Sequence, residues 1–173
     1  MKQKRSFLTS FLIGFVILVG LDQWTKGMAV KHLMNQKPFV LWDGVFELLY
    51  SENRGAAFGM MQGRQFFFFV IALVVLGAVI YFLWRMPVTQ RYMPMAVCLM
   101  MVSAGAVGNM IDRVLQGYVV DFLYFKLIDF PIFNVADCYV TVSAFLLILL
   151  VFFYYSEEEM EVFSPRKKEE KSA

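Results

Sequence analysis

Four uncharged, apolar stretches divide the sequence. They run over residues 6–21, 66–84, 93–111 and 138–156, and a charged residue lies within two positions of each end. An α-helix rises about 1.5 Å per residue, so about 20 residues cross a hydrocarbon core of roughly 30 Å. The pattern predicts four transmembrane helices, and the first reaches across the core if Asp22 lies at the interface.

The segment between the first two stretches has a different pattern. Residues 38–62 alternate apolar and polar side chains in places, with turn signals at Asp43-Gly44 and at Asn53. Alternation of this kind is typical of strands that bury one face. The predicted fold is therefore an all-α membrane domain of four transmembrane helices with a small β subdomain between helices 1 and 2.

Composition supports a membrane protein and weakens other classes. The chain of 173 residues is 60% hydrophobic and 17% charged, with a mean hydropathy of +0.61. A net charge of +2, with basic residues mostly at the ends, gives nucleic-acid binding little support. His32, Cys98 and Cys138 are too few for a convincing zinc site, and the cysteines are predicted at opposite membrane faces, beyond disulfide reach.

The first stretch could instead be a cleaved signal peptide, since Lys2, Lys4 and Arg5 precede it. No A-x-A-like cleavage site follows its apolar core, and Asp22 and Lys26 stand where cleavage would be expected. A retained helix is the favoured reading.

Basic residues predict the orientation of the chain. Basic residues precede the first stretch and lie in the loop between the second and third stretches (Arg85, Arg91). Others follow the fourth stretch (Arg166, Lys167, Lys168, Lys171). Positive charge marks the cytoplasmic side, so both termini are predicted there, although Lys31, Lys37, Arg54 and Arg64 in the first outer loop weaken the signal. Residues 1–156 then form the membrane domain, and residues 157–173 form a mixed-charge cytoplasmic tail expected to be mobile.

Under this topology, the unusual polar residues all fall at the extracytoplasmic face. One shared site explains that bias better than separate anchors do, because ionisable groups at such depth are costly. Asp22 and Lys26 share a helix face and can neutralise each other. Asn109, Asp112 and Arg113 form a polar ridge at the end of the third stretch. These groups could form structural ion pairs, or they could support a functional site.

Asp121 and Asp137 differ from the others because their neighbours in the sequence are apolar. Two carboxylates brought together in such a setting cannot both ionise cheaply, so one supplies an acid and the other a base. That pair could activate water against an amide. The alternative is two unrelated aspartates that cap helices or face water, and Asn134 could orient Asp137 or be a simple cap.

Other chemistries find less support. The sequence has no H-E-x-x-H or G-x-S-x-G, and Cys138 has no histidine nearby to activate it. A small proton-coupled transporter should carry carboxylates near mid-span. A non-catalytic membrane scaffold would explain the spans and the small residues of 103–108, but not the convergence of polar groups.

Five motifs together resemble the lipoprotein signal peptidases, also called signal peptidase II. They are DQWTK (22–26), NRGAAFG (53–59), GAVGNMIDR (105–113), VVDF (119–122) and FNVAD (133–137), in the family's order and approximate spacing. The resemblance covers about residues 6–156.

The resemblance implies an aspartic intramembrane endopeptidase of the bacterial plasma membrane, active at the extracytoplasmic face without metal or cofactor. Its substrates would be diacylglyceryl-modified prolipoproteins, cut just before the lipidated cysteine. It also implies a monomer that cyclic depsipeptide antibiotics of the globomycin type inhibit. By motif, the catalytic pair would be Asp121 and Asp137. Substrate-binding or supporting residues would be Asp22, Lys26, Asn53, Gly55, Asn109, Asp112, Arg113 and Asn134, with the β subdomain as a cradle for the bound peptide.

Overall fold

The computed structural model describes residues 2–55 and 65–164. Within these ranges the chain forms five α-helices and three strands. Their bounds are Lys2–Leu33 (α1), Phe39–Trp42 (β1), Phe46–Asn53 (β2), Gln65–Arg85 (α2), Met93–Gln116 (α3), Val119–Phe125 (β3), Val135–Leu149 (α4) and Glu157–Glu161 (α5). A π-helical turn, Leu150–Tyr154, extends α4. Each predicted apolar stretch therefore lies on a helix long and apolar enough to cross a membrane.

Helix α3 is the centre of the bundle, since it packs against α1, α2 and α4. Its small residues permit this close packing, as the sequence predicts. A Cβ atom added at Gly105 would lie 2.5 Å from the carbonyl oxygen of Ala136 on α4. A Cβ atom added at Gly108 would lie 2.4 Å from a carboxylate oxygen of Asp22 on α1. Helix α3 ends at Gln116, and the next residue, Gly117, has a φ of 82°, the left-handed conformation typical of the residue that ends a helix.

The β subdomain is a three-stranded antiparallel sheet in the order β1-β2-β3. The sequence predicted strands only within residues 38–62, of which 56–62 lie outside the described residues. The structure adds β3, which follows α3 and pairs with β2 in a register that aligns Ser51 with Asp121 and Asn53 with Val119. One of the two predicted catalytic aspartates is therefore on a strand of the sheet, and the sheet joins the polar end of the bundle.

Residues 156–164 pack against the end of the bundle opposite the polar residues, so the prediction of a mobile tail is wrong for residues 157–164. Phe163 is 7% exposed within a core cluster that contains Tyr92 and Leu83. The Arg85 side chain donates to the carbonyl oxygens of Val162 (2.8 Å) and Ser164 (2.6 Å).

Helix α5 adds an ion pair to this contact. The Nε atom of Arg91 lies 2.8 Å from Oε1 of Glu159, and that hydrogen bond lowers the pKa of Glu159 to about 2. Arg166, Lys167, Lys168 and Lys171 lie outside the described residues. We call residues 156–164 the clasp, because they connect α4 to the ends of α2 and α3.

Replacement of Phe163 by alanine is expected to lower the stability of the protein. The ring lies 5.1 Å, centroid to centroid, from Phe82 on α2, and removal of a buried phenyl ring typically costs about 3 kcal/mol. Thermal unfolding in detergent measures the effect. Glu161→Ala, at an exposed position of the same segment, is the control and should unfold like the parent. Equal unfolding temperatures for the two variants would show that the clasp does not stabilise the bundle.

Candidate active site

A buried lysine lies at the centre of the polar cluster. The Nζ atom of Lys26 lies 2.9 Å from Asp22 and 3.1 Å from Asp112, and all three side chains are at most 4% exposed. The same Nζ donates to Oδ1 of Asn109 at 2.8 Å. The predicted ion pair along α1 is confirmed. Asp112 finds its cation on another helix rather than in Arg113, its neighbour in sequence.

Asp22 and Asp112 each also accept a hydrogen bond from the backbone. Oδ1 of Asp22 accepts from the Ala136 N–H at 2.9 Å, and Oδ2 of Asp112 accepts from the Val120 N–H at 3.1 Å. Each of these amides belongs to the residue directly before a predicted catalytic aspartate. The two supporting carboxylates therefore fix the backbone at both predicted catalytic positions, and Lys26 connects them.

Gln23 takes part in this cluster, and the sequence analysis did not single it out. Its Nε2 atom lies within hydrogen-bond distance of Oδ1 of Asp112 (2.9 Å), the carbonyl oxygen of Gly108 (3.1 Å) and Oδ2 of Asp22 (3.2 Å). Its place inside the DQWTK motif, next to Asp22, is the sequence signal that could have identified it.

Asp121 is 2% exposed and is held by two side-chain amides. Asn53 donates to its Oδ2 atom at 2.8 Å, and Asn134 donates to its Oδ1 atom at 2.6 Å. Burial and the negative charge of Asp137 raise the pKa of Asp121 to about 7, against the opposing effect of the two amide hydrogen bonds. This carboxyl therefore keeps its proton to a much higher pH than an ordinary aspartate does.

Asp137 lies in the first turn of α4 and is half-buried. Its Oδ1 atom accepts from the Asn109 side chain at 2.8 Å, and its Oδ2 atom accepts from the Asn134 N–H at 3.1 Å. The Asn134 side chain in turn accepts from the Asp137 N–H at 3.0 Å, which completes a capping box. Asn134 is thus both a helix cap and a group that orients Asp137. Since it also donates to Asp121, it holds the two carboxyl groups next to each other.

Arg113 connects the end of the sheet to the bundle. Its Nη2 atom donates to the carbonyl oxygen of Gly55 at 3.2 Å, and its guanidinium lies 4.5 Å above the ring of Phe68 on α2. The Gly55 N–H donates to the Asn53 side chain at 3.0 Å, and that side chain holds Asp121. The remainder of the NRGAAFG motif, residues 56–59, lies outside the described residues.

A cleft of about 350 Å³ opens beside Asp137, between α2, α3 and α4. We call it the central cleft. Its walls are mostly apolar, and four polar side chains line it: Asn109, Arg113, Asp137 and Thr141. The apolar wall from α2 includes Phe68, Ile71, Ala72 and Val75. An apolar segment with one polar bond to be attacked would find matching surfaces here.

The structure brings all ten predicted site residues into one hydrogen-bonded network. It runs from Asp22 through Lys26, Asp112, Asn109, Asp137, Asn134, Asp121, Asn53 and Gly55 to Arg113. Every buried side-chain nitrogen or oxygen in the described ranges has a hydrogen-bond partner. Such full satisfaction of buried polar groups favours a rigid, preorganised site. Cys138 and Cys98 are both free thiols.

Comparisons with known proteins agree on one family. The family model for signal peptidase (SPase) II matches residues 14–153. A lipoprotein signal peptidase of Streptococcus thermophilus (strain CNRZ 1066) is 40% identical over 135 residues, which are 78% of this chain and 87% of the relative. A lipoprotein signal peptidase of Streptococcus pyogenes serotype M1 is 40% identical over 139 residues, 79% of this chain and 89% of the relative.

Two solved structures, each described as a bacterial membrane enzyme, have a similar fold. One has a TM-score of 0.71 and 31% identity, and the match covers 94% of this chain and 95% of the other. The second has a TM-score of 0.73 and 33% identity, over 86% of this chain and 96% of the other.

Proposed function

The chain belongs to the signal peptidase II family, and on that premise we propose that it removes the signal peptides of prolipoproteins with Asp121 and Asp137 as its catalytic pair. The observation that carries the assignment of these two residues is the position of Asn134. Its side-chain amide binds Asp121, and its backbone N–H binds Asp137. Two carboxyl groups held by one residue, with one of them at a pKa of about 7, can share a proton.

The mechanism follows from that shared proton. The ionised member of the pair takes a proton from a water molecule, whose oxygen attacks the scissile carbonyl carbon. The protonated member donates a hydrogen bond to the carbonyl oxygen as the tetrahedral intermediate forms. The proton taken from water then passes to the leaving amine nitrogen as the C–N bond breaks, and the pair is left with one proton again.

The central cleft supports a position for the substrate. The apolar part of a signal peptide would lie against the α2 wall, with its scissile bond at Asp137 and Asn109. Arg113 would contact the substrate backbone from the rim of the cleft. We infer that cleavage occurs just before a diacylglyceryl-modified cysteine, since a bond at the membrane edge suits a substrate whose next residue is anchored in lipid.

Cleavage of a lipid-modified substrate tests this function. Purified protein in detergent, incubated with a diacylglyceryl-modified prolipoprotein, should release the signal peptide, and mass spectrometry should place the cut before the modified cysteine. The same prolipoprotein without the lipid is the matched control and should be cut much more slowly. A proton-coupled transporter or a membrane scaffold would cut neither substrate. Cleavage at another bond would contradict the assignment of the substrate.

Two further properties belong to the same proposal. All ten residues of the network come from one chain, which supports an active monomer, and scattering from the purified protein in detergent measures its mass. Cyclic depsipeptides of the globomycin type would occupy the central cleft and compete with the substrate. Competition kinetics would test this, since an apparent KM that does not rise with inhibitor concentration would contradict a shared site.

We propose that both termini lie in the cytoplasm of a bacterial plasma membrane and that the site lies at the outer face. A reporter active only outside the cytoplasm should then be active when fused after Pro38 or Ile128, and silent when fused after Val88 or at Ala173. The basic residues near the N-terminus and in the α2–α3 loop are the physical reason. The activity of the reporter enzyme is measured for each fusion in intact cells. An active reporter at Ala173 would contradict an even number of spans.

A further inference from the structure

A second large depression lies outside the hydrogen-bonded network of the site. It is a groove of about 1090 Å³ between the last turns of α1 and the sheet, and all three strands contribute to its lining. We call it the outer groove. Its apolar lining includes Trp24, Met28 and Leu33 of α1 and Phe39, Leu48 and Phe122 of the sheet. None of its lining residues belongs to the ten-residue network of the site, so the proposed peptidase chemistry leaves the groove unexplained.

Three basic side chains are grouped along this groove. Lys31 and His32 lie at the end of α1, and Lys37 lies just before β1. All three are exposed. Within residues 2–55 and 65–164, none of them forms an ion pair, whereas Lys26 and Lys126 do. The charges of Lys31 and Lys37 are therefore available to an anion from outside the chain.

The length of α1 gives the depth of these charges in the membrane. The apolar run begins at residue 6, and about 20 residues of helix cross the hydrocarbon core, so the core ends close to Lys26. Lys31 is then roughly 8 Å further along the axis, which is the level of the lipid headgroups. Trp24 is 63% exposed at the interface, where tryptophan is enriched in membrane proteins.

We propose that the outer groove binds an anionic phospholipid of the outer leaflet. The lipid phosphate would lie between Lys31 and Lys37, and the upper acyl chains would pack along Met28 and Trp24. Along the α1 wall, the groove is charged at Lys31 and apolar at Met28 and Trp24, which lie about one and two turns nearer the hydrocarbon. A diacyl lipid has the same two halves in the same order, and a phosphate is attracted to lysines grouped at this depth. A soluble acidic peptide would match the charge but leave the apolar half uncovered.

Binding of short-chain lipids to the full-length protein tests the proposal without any measurement of peptidase activity. The probes are dioctanoyl phosphatidylglycerol, dioctanoyl phosphatidylcholine and inorganic phosphate, each titrated against the purified protein in detergent and followed by native mass spectrometry. The phosphatidylglycerol should bind about tenfold more tightly than the phosphatidylcholine, because only the former has a net negative charge. Inorganic phosphate, which lacks acyl chains, should bind much more weakly than either lipid.

Variants locate the bound lipid. The double substitution Lys31→Ala/Lys37→Ala should reduce the affinity for phosphatidylglycerol about tenfold, and Lys31→Arg/Lys37→Arg should retain it. The matched control is Lys2→Ala/Arg5→Ala, which removes two exposed basic residues from the other end of the same helix and should bind like the parent. Unchanged thermal unfolding without lipid shows that the variants are folded.

Three results would overturn the proposal. They are equal affinities for the two lipids, retained affinity in the double alanine variant, and inorganic phosphate that binds as tightly as the charged lipid. The last result would indicate a site for free anions. None of these measurements involves cleavage. Results that contradict lipid binding would therefore leave the proposed peptidase function untouched.

Discussion

Asparagine at position 121 or at position 137 is expected to abolish detectable cleavage. An amide keeps the shape of the carboxyl group, but it can neither take the proton of water nor return one to the leaving amine. General acid–base assistance is worth about 10²–10⁴ in rate. The rate losses from substitutions within one catalytic unit are not additive. The double variant should therefore be no slower than either single variant. Single-turnover cleavage of the lipid-modified prolipoprotein measures the effect.

The matched control is Asp43→Asn, which changes an exposed aspartate in the turn between β1 and β2 and should leave the rate unchanged. Thermal unfolding distinguishes lost chemistry from lost structure, since the isosteric variants should remain folded. Substantial cleavage by Asp121→Asn or by Asp137→Asn would remove that residue from the pair.

The pH profile of the parent gives a second check on the same pair. The pKa of Asp121 is raised from the ordinary value of 3.8 to about 7. The pair therefore keeps its shared proton below about pH 7 and loses it as the pH rises through that value. Because this pKa belongs to the free protein, kcat/KM should fall on the alkaline side with a midpoint near pH 7. A kcat/KM that is constant from pH 6 to pH 9 would contradict a shared proton on the pair.

The substitution Lys26→Met is expected to destabilise the protein more than any other single change in the supporting network. It leaves Asp22 and Asp112 buried, with no cation between them. Removal of one partner from a buried ion pair typically costs about 3–5 kcal/mol, which is a large part of a total stability of about 5–15 kcal/mol. Thermal unfolding in detergent and the amount of protein in the membrane both measure the loss.

Two other substitutions on α1 show whether the loss of stability in Lys26→Met comes from the unbalanced buried charges. Asp22→Asn leaves Lys26 paired with Asp112, so it should cost less than Lys26→Met. Lys31→Met removes an exposed lysine from the same helix and should have little effect. If Lys26→Met unfolds at the temperature of the Lys31→Met variant, the buried lysine does not hold the site together.

The sequence predicted the site best where the geometry is local. Asp22 and Lys26 lie four residues apart, and a helix places such residues on one face whatever surrounds them. The partner of Asp112 could not be predicted in the same way. Arg113 is adjacent in sequence, but the carboxylate pairs with Lys26 on another helix, and only the packing of α1 against α3 brings the two together.

Non-local pairing also explains the two corrections to the fold. Residues 119–125 are apolar or aromatic apart from Asp121, and periodicity alone did not identify them as a strand. They become β3 because β2 lies beside them. The β-branched and aromatic residues of VVDFLYF after Gly117 were the available signal. In the clasp, charge composition suggested a solvated tail. Phe163 and Glu159 instead find partners on α2 and beside α3 that no local pattern reveals.

The spacing of the buried charges has a consequence for how the chain enters the membrane. A charged residue is costly to insert, at about 2.5–3.5 kcal/mol near the centre of a helix. Asp22 and Lys26 lie one turn apart, 2.9 Å from each other, so α1 carries its own counter-ion when it leaves the ribosome. The cation that binds Asp112 is on α1, and it is already in the bilayer when α3 is synthesised. The order of the segments along the chain thus matches the order in which their charges can be neutralised during insertion.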